Sequence, residues 1–155
     1  MFVKETLPYN RRPDSESSDY SSHIGIEFQT PVKPLIIVSY YRQWQLPSHL
    51  SINNSGSQSQ QKQRFLSFLS DIDKITKENN YLLTMSDTNI DTHPSASFQG
   101  RSYLDEFKDI LYDFLDNHQM CILNKDYTRF SSHPGNSCID HLITNIPNEM
   151  YNVTT

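Results

Sequence analysis

The sequence predicts a mixed α/β domain in which helices cover at least one face of a sheet. Short apolar runs rich in β-branched and aromatic residues alternate along the chain with longer segments that repeat apolar residues at helical spacing. Such alternation is typical of sheets with helices packed on them. The length fits a single domain, so residues 1–155 are expected to form one domain with one core.

The first part of the chain predicts a strand pair that follows a polar segment. Residues 1–3 are strand-like, and residues 9–20 are rich in Ser, Asp and Arg, which predicts a loop. Residues 24–29 alternate apolar and polar side chains as a half-buried strand does, whereas residues 35–41 form a continuous apolar run typical of a buried strand. Prolines between these runs predict a turn, so we expect an antiparallel hairpin.

Two helices and three further strands are predicted in the rest of the chain. Apolar residues recur at helical spacing in both helices, so each is expected to pack one face. The second helix starts with a capping box formed by Ser102 and Asp105. The predicted helices cover residues 61–80 and 103–118, and the predicted strands cover residues 81–85, 120–123 and 138–144. Residues 48–60 are predicted to form a polar loop, and residues 133–136 a turn.

The charge balance excludes a module that holds nucleic acid by bulk electrostatic attraction. The chain carries 13 Lys and Arg against 18 Asp and Glu, a formal net charge of -5. Binding of nucleic acid by counterion release needs an excess of basic groups. A nuclease is not excluded, because its site must be acidic in order to hold a metal ion.

Several features predict a protein of the cell interior. The hydrophobic content is 35% and the mean hydropathy is -0.64. No apolar run reaches the roughly 20 residues that a membrane span needs, and the charged Lys4 and Glu5 argue against a secretory leader. Cys121 and Cys138 lie in apolar runs, where buried free thiols are common, so no disulfide is expected. We therefore expect an intracellular protein with no membrane partner.

Candidate catalytic residues lie at the ends of two predicted strands. The motif Ser86-Asp87-Thr88-Asn89 directly follows one apolar run, and Asp140 lies in another. Because open α/β sheets place their chemistry at such strand ends, the two acids could position a divalent metal ion or a water for attack on phosphorus. In an extended segment, Asp87 and Asn89 would point to the same side and face one phosphate.

A zinc site is a second interpretation of the C-terminal part, and the spacing argues against it. Thiol and imidazole groups fall within one region, at Cys121, His133, Cys138 and His141. Their spacing matches no zinc signature, and both cysteines lie in apolar runs. His141 follows Asp140 along a strand, so its side chain is expected on the opposite face of the sheet.

Four landmarks occur in a fixed order along the chain: Tyr41-Arg42, Ser86-Asp87-Thr88-Asn89, Thr128-Arg129 and Ser137-Cys138-Ile139-Asp140. In this order they resemble the endonuclease/exonuclease/phosphatase superfamily. The resemblance is closest to the apurinic-like endonuclease domains of LINE-type, non-LTR retrotransposons. It is strongest over residues 24–146, and the two predicted helices also fall where that family has helices.

The resemblance implies a four-layered α/β sandwich and metal-dependent hydrolysis of DNA phosphodiesters. Asp87 resembles the acid that orients or deprotonates the attacking water. Asn89 looks like the amide that contacts the scissile phosphate and, with Asp87, the metal site. Tyr41 is similar to the family tyrosine at the phosphate, and Asp140 resembles the carboxylate that orients a catalytic histidine.

The resemblance also implies a cofactor and partners. Mg²⁺ or Mn²⁺ would be the metal ion, and the phosphate backbone of DNA would be the substrate. Thr128 and Arg129 stand where the retrotransposon enzymes have a Thr-Arg pair near the DNA backbone. A reverse transcriptase fused in the same reading frame and a nuclear location would accompany such an activity.

The sequence also departs from the family pattern. Ser86 stands where the family has a glycine, which alters the local turn. The family's metal-binding Glu would precede this chain, and the motif with its catalytic His would follow it. We therefore expect a sandwich incomplete at both ends, inactive in isolation and marginally stable. Two alternatives stay open: a non-catalytic remnant or interaction module, and a lipid or inositol phosphodiesterase or phosphatase of the same fold.

Overall fold

A sheet of six strands and two helices make up the described part of the computed structural model, which comprises residues 7–13, 21–42, 54–93, 102–130 and 136–152. The strands are β1 (Asn10–Arg12), β2 (Ser21–Phe28), β3 (Leu35–Arg42), β4 (Tyr81–Asp87), β5 (Cys121–Ile122) and β6 (Asp140–Thr144). The helices are α1 (Asn54–Thr76) and α2 (Ser102–Asn117), and a 3₁₀ turn covers Asn148–Met150. The strand order across the sheet is β1-β2-β3-β4-β6-β5.

The sheet contains both parallel and antiparallel pairs. Strands β2 and β3 are antiparallel, with Ile24 opposite Ser39, which confirms the predicted hairpin. Strands β3 and β4 are parallel and are joined through α1, as a crossover connection requires. Strand β6 is antiparallel to β4, with Met85 opposite Leu142. This pairing confirms the predicted mixed α/β class.

Both helices contribute to one hydrophobic core with alternate residues of the sheet. The ring of Tyr40 in β3 stacks on Phe68 of α1, with centroids 3.6 Å apart. Phe65 of α1 meets Phe107 of α2 edge to face at 5.5 Å. The remaining buried members of the core are Ile36, Val38, Leu69, Ile72, Ile75, Leu82, Ile90, Leu111, Leu115, Met120 and Ile143. The described residues thus form two layers of an α/β sandwich, one sheet and one layer of helices.

Helix α1 begins and ends earlier than its apolar periodicity predicts. Residues 54–60, predicted as loop, are helical, because Gln and Ser extend a helix that the buried residues after them have already stabilised. At the other end the Thr76 hydroxyl donates to the carbonyl oxygen of Asp73 at 2.9 Å. Asn79 then adopts a left-handed conformation with φ 57°, which is a common way to end a helix.

Strand β1 lies in the segment 9–20, which the sequence pattern predicts to be a loop. It pairs antiparallel with β2 at the edge of the sheet. The guanidinium of Arg12 donates to Glu27 at 3.0 Å and to Glu78 at 2.9 Å. Because the three residues of β1 show no apolar alternation, their strand conformation depends on the neighbouring strand and on these ion pairs, which no local pattern reveals.

Strand β4 extends to Asp87, so the acid that was expected just after this strand is its last residue. Two buried hydroxyls tie this part of β4 to β6. Thr84 Oγ1 donates to the carbonyl oxygen of Ile143 at 3.1 Å, and Ser86 Oγ donates to that of His141 at 3.2 Å. Ser86 is therefore buried with its hydroxyl paired.

Some sequence predictions fall outside the described residues. These are the strand-like residues 1–3, most of the turn 133–136, and the side chains of Ser102 and Asp105 in the proposed capping box. Strand β6 begins at Asp140, two residues later than the predicted run 138–144. Neither helix of the described part has the length and apolar character needed to cross a membrane.

Candidate active site

Tyr41, Asp87 and Asp140 lie in one row across three neighbouring strands. Tyr41 at the end of β3 is in register with Asp87, and Asp87 is directly opposite Asp140 at the start of β6. Residues in register project from the same face of a sheet. The neighbouring row of Tyr40, Ser86 and His141 is buried on the helical side, so the row of candidate residues occupies the other face.

The row of Tyr41, Asp87 and Asp140 is accessible from solvent. Tyr41 is 51% exposed, Asp140 is exposed and Asp87 is half-buried. Two carboxylates directly opposite each other on adjacent strands repel, and such a pair is unfavourable for the stability of a sheet. Two carboxylates at an open sheet end have the chemistry to bind a divalent cation.

Asn89 adopts a turn conformation, so the expectation of an extended segment from Asp87 to Asn89 is wrong. The φ angle of Asn89 is 53°, in the left-handed region that Asn tolerates better than most residues. Asp87 Oδ1 accepts a hydrogen bond from the Asn89 backbone N–H at 3.2 Å. The two side chains are thus placed by a turn closed through the Asp87 carboxylate, and spacing along the chain alone does not describe them.

The backbone of Asp140 is held by two side chains from the segment after β5. Asn124 Nδ2 donates to the carbonyl oxygen of Asp140 at 2.6 Å. The hydroxyl oxygen of Thr128 accepts hydrogen bonds from the N–H groups of Ile139 at 3.0 Å and Asp140 at 3.1 Å. Strand β5 is too short to pair with this end of β6, and these side chains satisfy the backbone groups in its place.

Thr128 and Arg129 are the residues for which the resemblance implies contact with DNA. The hydroxyl of Thr128 is engaged with the backbone of β6, which gives it a supporting role towards Asp140. Arg129 is exposed, and its backbone forms an isolated antiparallel bridge with Ser137. A contact of either residue with DNA stays a prediction.

His141 is the buried centre of a polar cluster behind the row. Its Nδ1 lies 2.8 Å from Thr88 Oγ1, and its Nε2 lies 2.9 Å from Thr92 Oγ1 and 3.2 Å from the carbonyl oxygen of Cys138. The residue is 1% exposed. Burial lowers the pKa of His141 to about 4, against the opposing effects of the Cys138 carbonyl and nearby carboxylates, so the ring is neutral at pH 7.

Sequence reasoning missed Asp91 and Thr92, which support the turn, and Asn124, which supports the start of β6. The Oδ1 atom of Asp91 accepts hydrogen bonds from the N–H groups of Cys138 at 2.9 Å and His93 at 3.1 Å. The contact with Cys138 joins positions 47 residues apart in the chain, so only the cluster of Asp, Thr and Asn after each strand indicates it. Polar residues of this kind commonly bind backbone groups in turns.

The two cysteines are free. Cys138 is buried, as expected, and burial raises the pKa of its thiol. Cys121 is exposed, contrary to its position in an apolar run, because it lies on β5 at the edge of the sheet. Within the described ranges, no group of three or more His, Cys, Asp and Glu side chains is arranged to hold a metal ion.

Comparison with solved structures identifies the fold. No protein-family model matches the chain, and no curated protein matches its sequence. The endonuclease domain of TRAS1, a telomere-specific non-LTR retrotransposon, is similar at a TM-score of 0.58 and 16% sequence identity. The similarity covers 91% of this chain and 56% of that chain. The chain therefore has the α/β fold of the endonuclease/exonuclease/phosphatase type, and it spans about half of the TRAS1 domain.

Two further solved structures are similar at lower TM-scores. An endonuclease/exonuclease/phosphatase family protein from Leptotrichia buccalis C-1013-b has a TM-score of 0.35 at 12% identity, over 80% of this chain and 42% of that chain. The inositol polyphosphate 5-phosphatase domain of SPsynaptojanin, in complex with inositol (1,4)-bisphosphate and calcium ion, has a TM-score of 0.44 at 13% identity, over 89% and 46% of the two chains. These scores are too low to support an argument.

Proposed function

We propose that Tyr41, Asp87, Asn89 and Asp140 are part of a centre that hydrolyses DNA phosphodiesters with the help of Mg²⁺ or Mn²⁺. The observation that carries the proposal is the pair of carboxylates of Asp87 and Asp140, directly opposite each other at an accessible end of the sheet and beside Tyr41. Like charges in this arrangement oppose folding, and a bound cation converts their repulsion into attraction.

The preference for an endonuclease over another phosphodiesterase comes from the resemblance of the four landmarks, and the fold is compatible with it. The structure with a TM-score of 0.58 is an endonuclease domain of a non-LTR retrotransposon. A shared fold hosts many functions, so the choice of DNA as substrate rests on the site and on the resemblance of the four landmarks. Because the chain spans 56% of that domain, the activity is proposed for the intact protein that contains the row.

The residues of the row fit a hard divalent cation. Carboxylate and amide oxygens are the ligands that Mg²⁺ and Mn²⁺ prefer, and Asp87 and Asn89 are the residues proposed to hold the ion. Mg²⁺ is commonly held by one or two carboxylates together with phosphate oxygens of the substrate. A dedicated cluster of three protein ligands is therefore not required. When bound, the cation neutralises charge on the phosphate and makes phosphorus more electrophilic.

The side chains divide the work of hydrolysis among them. The carboxylate of Asp87 orients a water molecule and takes up its proton as the water oxygen bonds to phosphorus. The P–O bond to a deoxyribose oxygen breaks in the same step, and that oxygen leaves with a proton from solvent. The amide of Asn89 and the hydroxyl of Tyr41 donate hydrogen bonds to phosphate oxygens, on which negative charge increases in the transition state. Asp140 supplies the second negative charge of the row and, by resemblance, orients a histidine of the intact protein.

Binding of Mn²⁺ to the chain tests the site without requiring turnover. Affinity is measured by electron paramagnetic resonance for the wild type, Asp87→Asn and Asp140→Asn. The matched control is Asp113→Asn, which removes an exposed carboxylate from α2. We expect each site variant to lose about tenfold or more in affinity, and the control to be unchanged. Equal affinity in all four proteins contradicts the proposal.

Nicking of a supercoiled plasmid in Mg²⁺ tests the activity. It is measured on the chain and on a polypeptide extended to its full open reading frame. We expect Asp87→Ala to abolish nicking in the form that nicks, and Asp113→Asn to leave it unchanged. Nicking that survives Asp87→Ala contradicts the assignment. If the protein releases phosphate from inositol phosphates and does not nick the plasmid, the function is that of an inositol phosphatase and the endonuclease proposal is wrong.

A further inference from the structure

The imidazole of His141 joins both ends of the turn that carries Asn89. The ring is 1% exposed and bridges the hydroxyls of Thr88 and Thr92, at 2.8 Å and 2.9 Å. Its burial separates it from the face occupied by Asp140, its neighbour in sequence, so it does not reach a phosphate bound at that face. His141 therefore has no direct catalytic role at that face, and its contacts are with the turn.

The hydrogen-bond partners of His141 define which ring nitrogen carries the proton. The carbonyl oxygen of Cys138 is only an acceptor, so Nε2 donates to it at 3.2 Å. With Nε2 protonated, Nδ1 accepts from the hydroxyl of Thr88, which also lies 3.3 Å from the carbonyl oxygen of Ile139, and the Thr88 oxygen accepts from the N–H of Ile90 at 3.2 Å. The carbonyl of Cys138 also accepts from the N–H of Thr92 at 3.0 Å. A neutral ring protonated at Nε2 fits these contacts, with its single N–H shared between the Cys138 carbonyl oxygen and the Thr92 hydroxyl oxygen.

The turn between β4 and the following loop needs such support. Asn89 has a φ angle of 53°, in the left-handed region, which Asn adopts more readily than other non-glycine residues but which is still less favourable than the right-handed region. Within the turn, Asp87 Oδ1 accepts from Asn89 N–H, and the Thr88 N–H donates to the carbonyl oxygen of Ile139 at 3.0 Å. The ring of His141 adds the contact that connects the start of the turn to its end.

We propose that His141 is a positioning residue that holds the turn 87–92 in the shape in which Asp87 and Asn89 can act on one phosphate. The part of this inference that concerns catalysis rests on the proposed function. The part that concerns the shape of the turn rests only on the hydrogen bonds of His141. An apolar ring of the same size in the core would fill the same space. It would leave the hydroxyls of Thr88 and Thr92 and the carbonyl of Cys138 without their common partner.

Four variants separate this role from general stability. His141→Phe keeps a ring and removes its hydrogen bonds, and Thr92→Val removes one partner of the ring from a half-buried position. Thr92→Ser retains the hydroxyl. Thr84→Val is the matched control, because it removes another buried hydroxyl bond from β4 to β6 that lies outside the turn.

Hydrogen exchange of the Asn89 and Ile90 amides is the first readout, measured by NMR and compared with the global exchange of the sheet. We expect exchange at these two amides to accelerate about tenfold or more in His141→Phe and Thr92→Val relative to Thr84→Val. Thr92→Ser is expected to behave as the wild type. If His141→Phe and Thr92→Val accelerate these amides no more than Thr84→Val does, the proposal is wrong. Should His141→Phe fail to fold, Thr92→Val decides.

The ¹⁵N chemical shifts of the His141 ring are the second readout, because they report which nitrogen is protonated. We expect a neutral ring protonated at Nε2 at pH 7. A ring protonated at Nδ1 contradicts this assignment of donors and acceptors, and the bridge itself is then judged by the exchange of the Asn89 and Ile90 amides. Neither readout needs a divalent cation, so the two proposals can fail separately. A wild type that binds no Mn²⁺ contradicts the proposed function, and the amide exchange rates still test whether His141 holds the turn. If the wild type binds Mn²⁺ and His141→Phe binds it equally well, the positioning role is wrong.

Discussion

At the scale of single residues, His141 also governs how stability depends on pH. Burial lowers the pKa of His141 from 6.5 to about 4 in the folded chain. Between these values the unfolded chain binds a proton that the folded chain does not, so the free energy of unfolding falls as the pH falls. The neutral His141 ring therefore contributes about 3 kcal/mol to the free energy of unfolding above pH 6.5, and this contribution is lost as the pH falls towards 4.

Urea unfolding at a series of pH values tests this dependence. The expected result is a loss of stability in the wild type between pH 6.5 and pH 4 that is largely absent from His141→Gln, since glutamine does not titrate. Parallel curves for the two proteins would show that the imidazole does not titrate as its burial indicates.

Thr128 gives a second prediction at the residue scale. Its hydroxyl accepts two backbone hydrogen bonds at the start of β6, so Thr128→Val is expected to destabilise the chain by about 1 kcal/mol and to speed amide exchange at Asp140. Thr128→Ser retains the acceptor and serves as the control. If both substitutions leave exchange at Asp140 unchanged, Thr128 does not support the carboxylate, and the contact with DNA implied by resemblance becomes the better account.

The sequence could predict the candidate residues but not the row that they form. The ends of predicted strands pointed to Asp87 and Asp140, and the resemblance added Tyr41, whereas the register that aligns the three residues is seen only in the sheet. The left-handed turn at Asn89 and the bridge through His141 depend on contacts between positions about fifty residues apart. No local pattern encodes such contacts.

At the scale of elements, the packing of α1 against α2 is the feature most open to test. Phe65 is fully buried and contacts Phe107 of the other helix, whereas the next residue, Leu66, is 43% exposed. Phe65→Ala is expected to cost about 3 to 5 kcal/mol, since it removes contacts with both the sheet and α2. Leu66→Ala is the matched control on the same helix, expected to cost under about 1 kcal/mol. Equal losses measured by urea unfolding would contradict the assigned orientation of α1.

The existence of both helices was predictable, and their boundaries were less so. Apolar periodicity located the packed face of each helix, because burial of that face stabilises it. The polar first turns of α1 and the short strand Asn10–Arg12 carry no such signal. Their conformations follow from elements already formed next to them, which sequence patterns in a short window do not contain.

At the scale of the whole molecule, we expect the like-charged pair to couple cation binding to the stability of the sheet. Without a cation, Asp140→Asn relieves the repulsion across β4 and β6 and is expected to stabilise the chain by about 0.5 kcal/mol. A ligand that binds only the folded state raises stability in proportion to the logarithm of its concentration. Mg²⁺ at about tenfold above its dissociation constant is therefore expected to raise the melting temperature of the wild type by about 3 to 6 °C.

The same addition of Mg²⁺ should leave Asp140→Asn nearly unaffected, and calorimetry with Asp113→Asn as control measures both shifts. The control separates binding at the row from a general screening of the net charge of -5, which Mg²⁺ also provides. If Asp113→Asn and Asp140→Asn respond to Mg²⁺ as the wild type does, the effect is screening and the row does not hold the ion. If only Asp140→Asn loses the response, the two carboxylates act as one site, and their opposition across the sheet is explained by the cation that they bind.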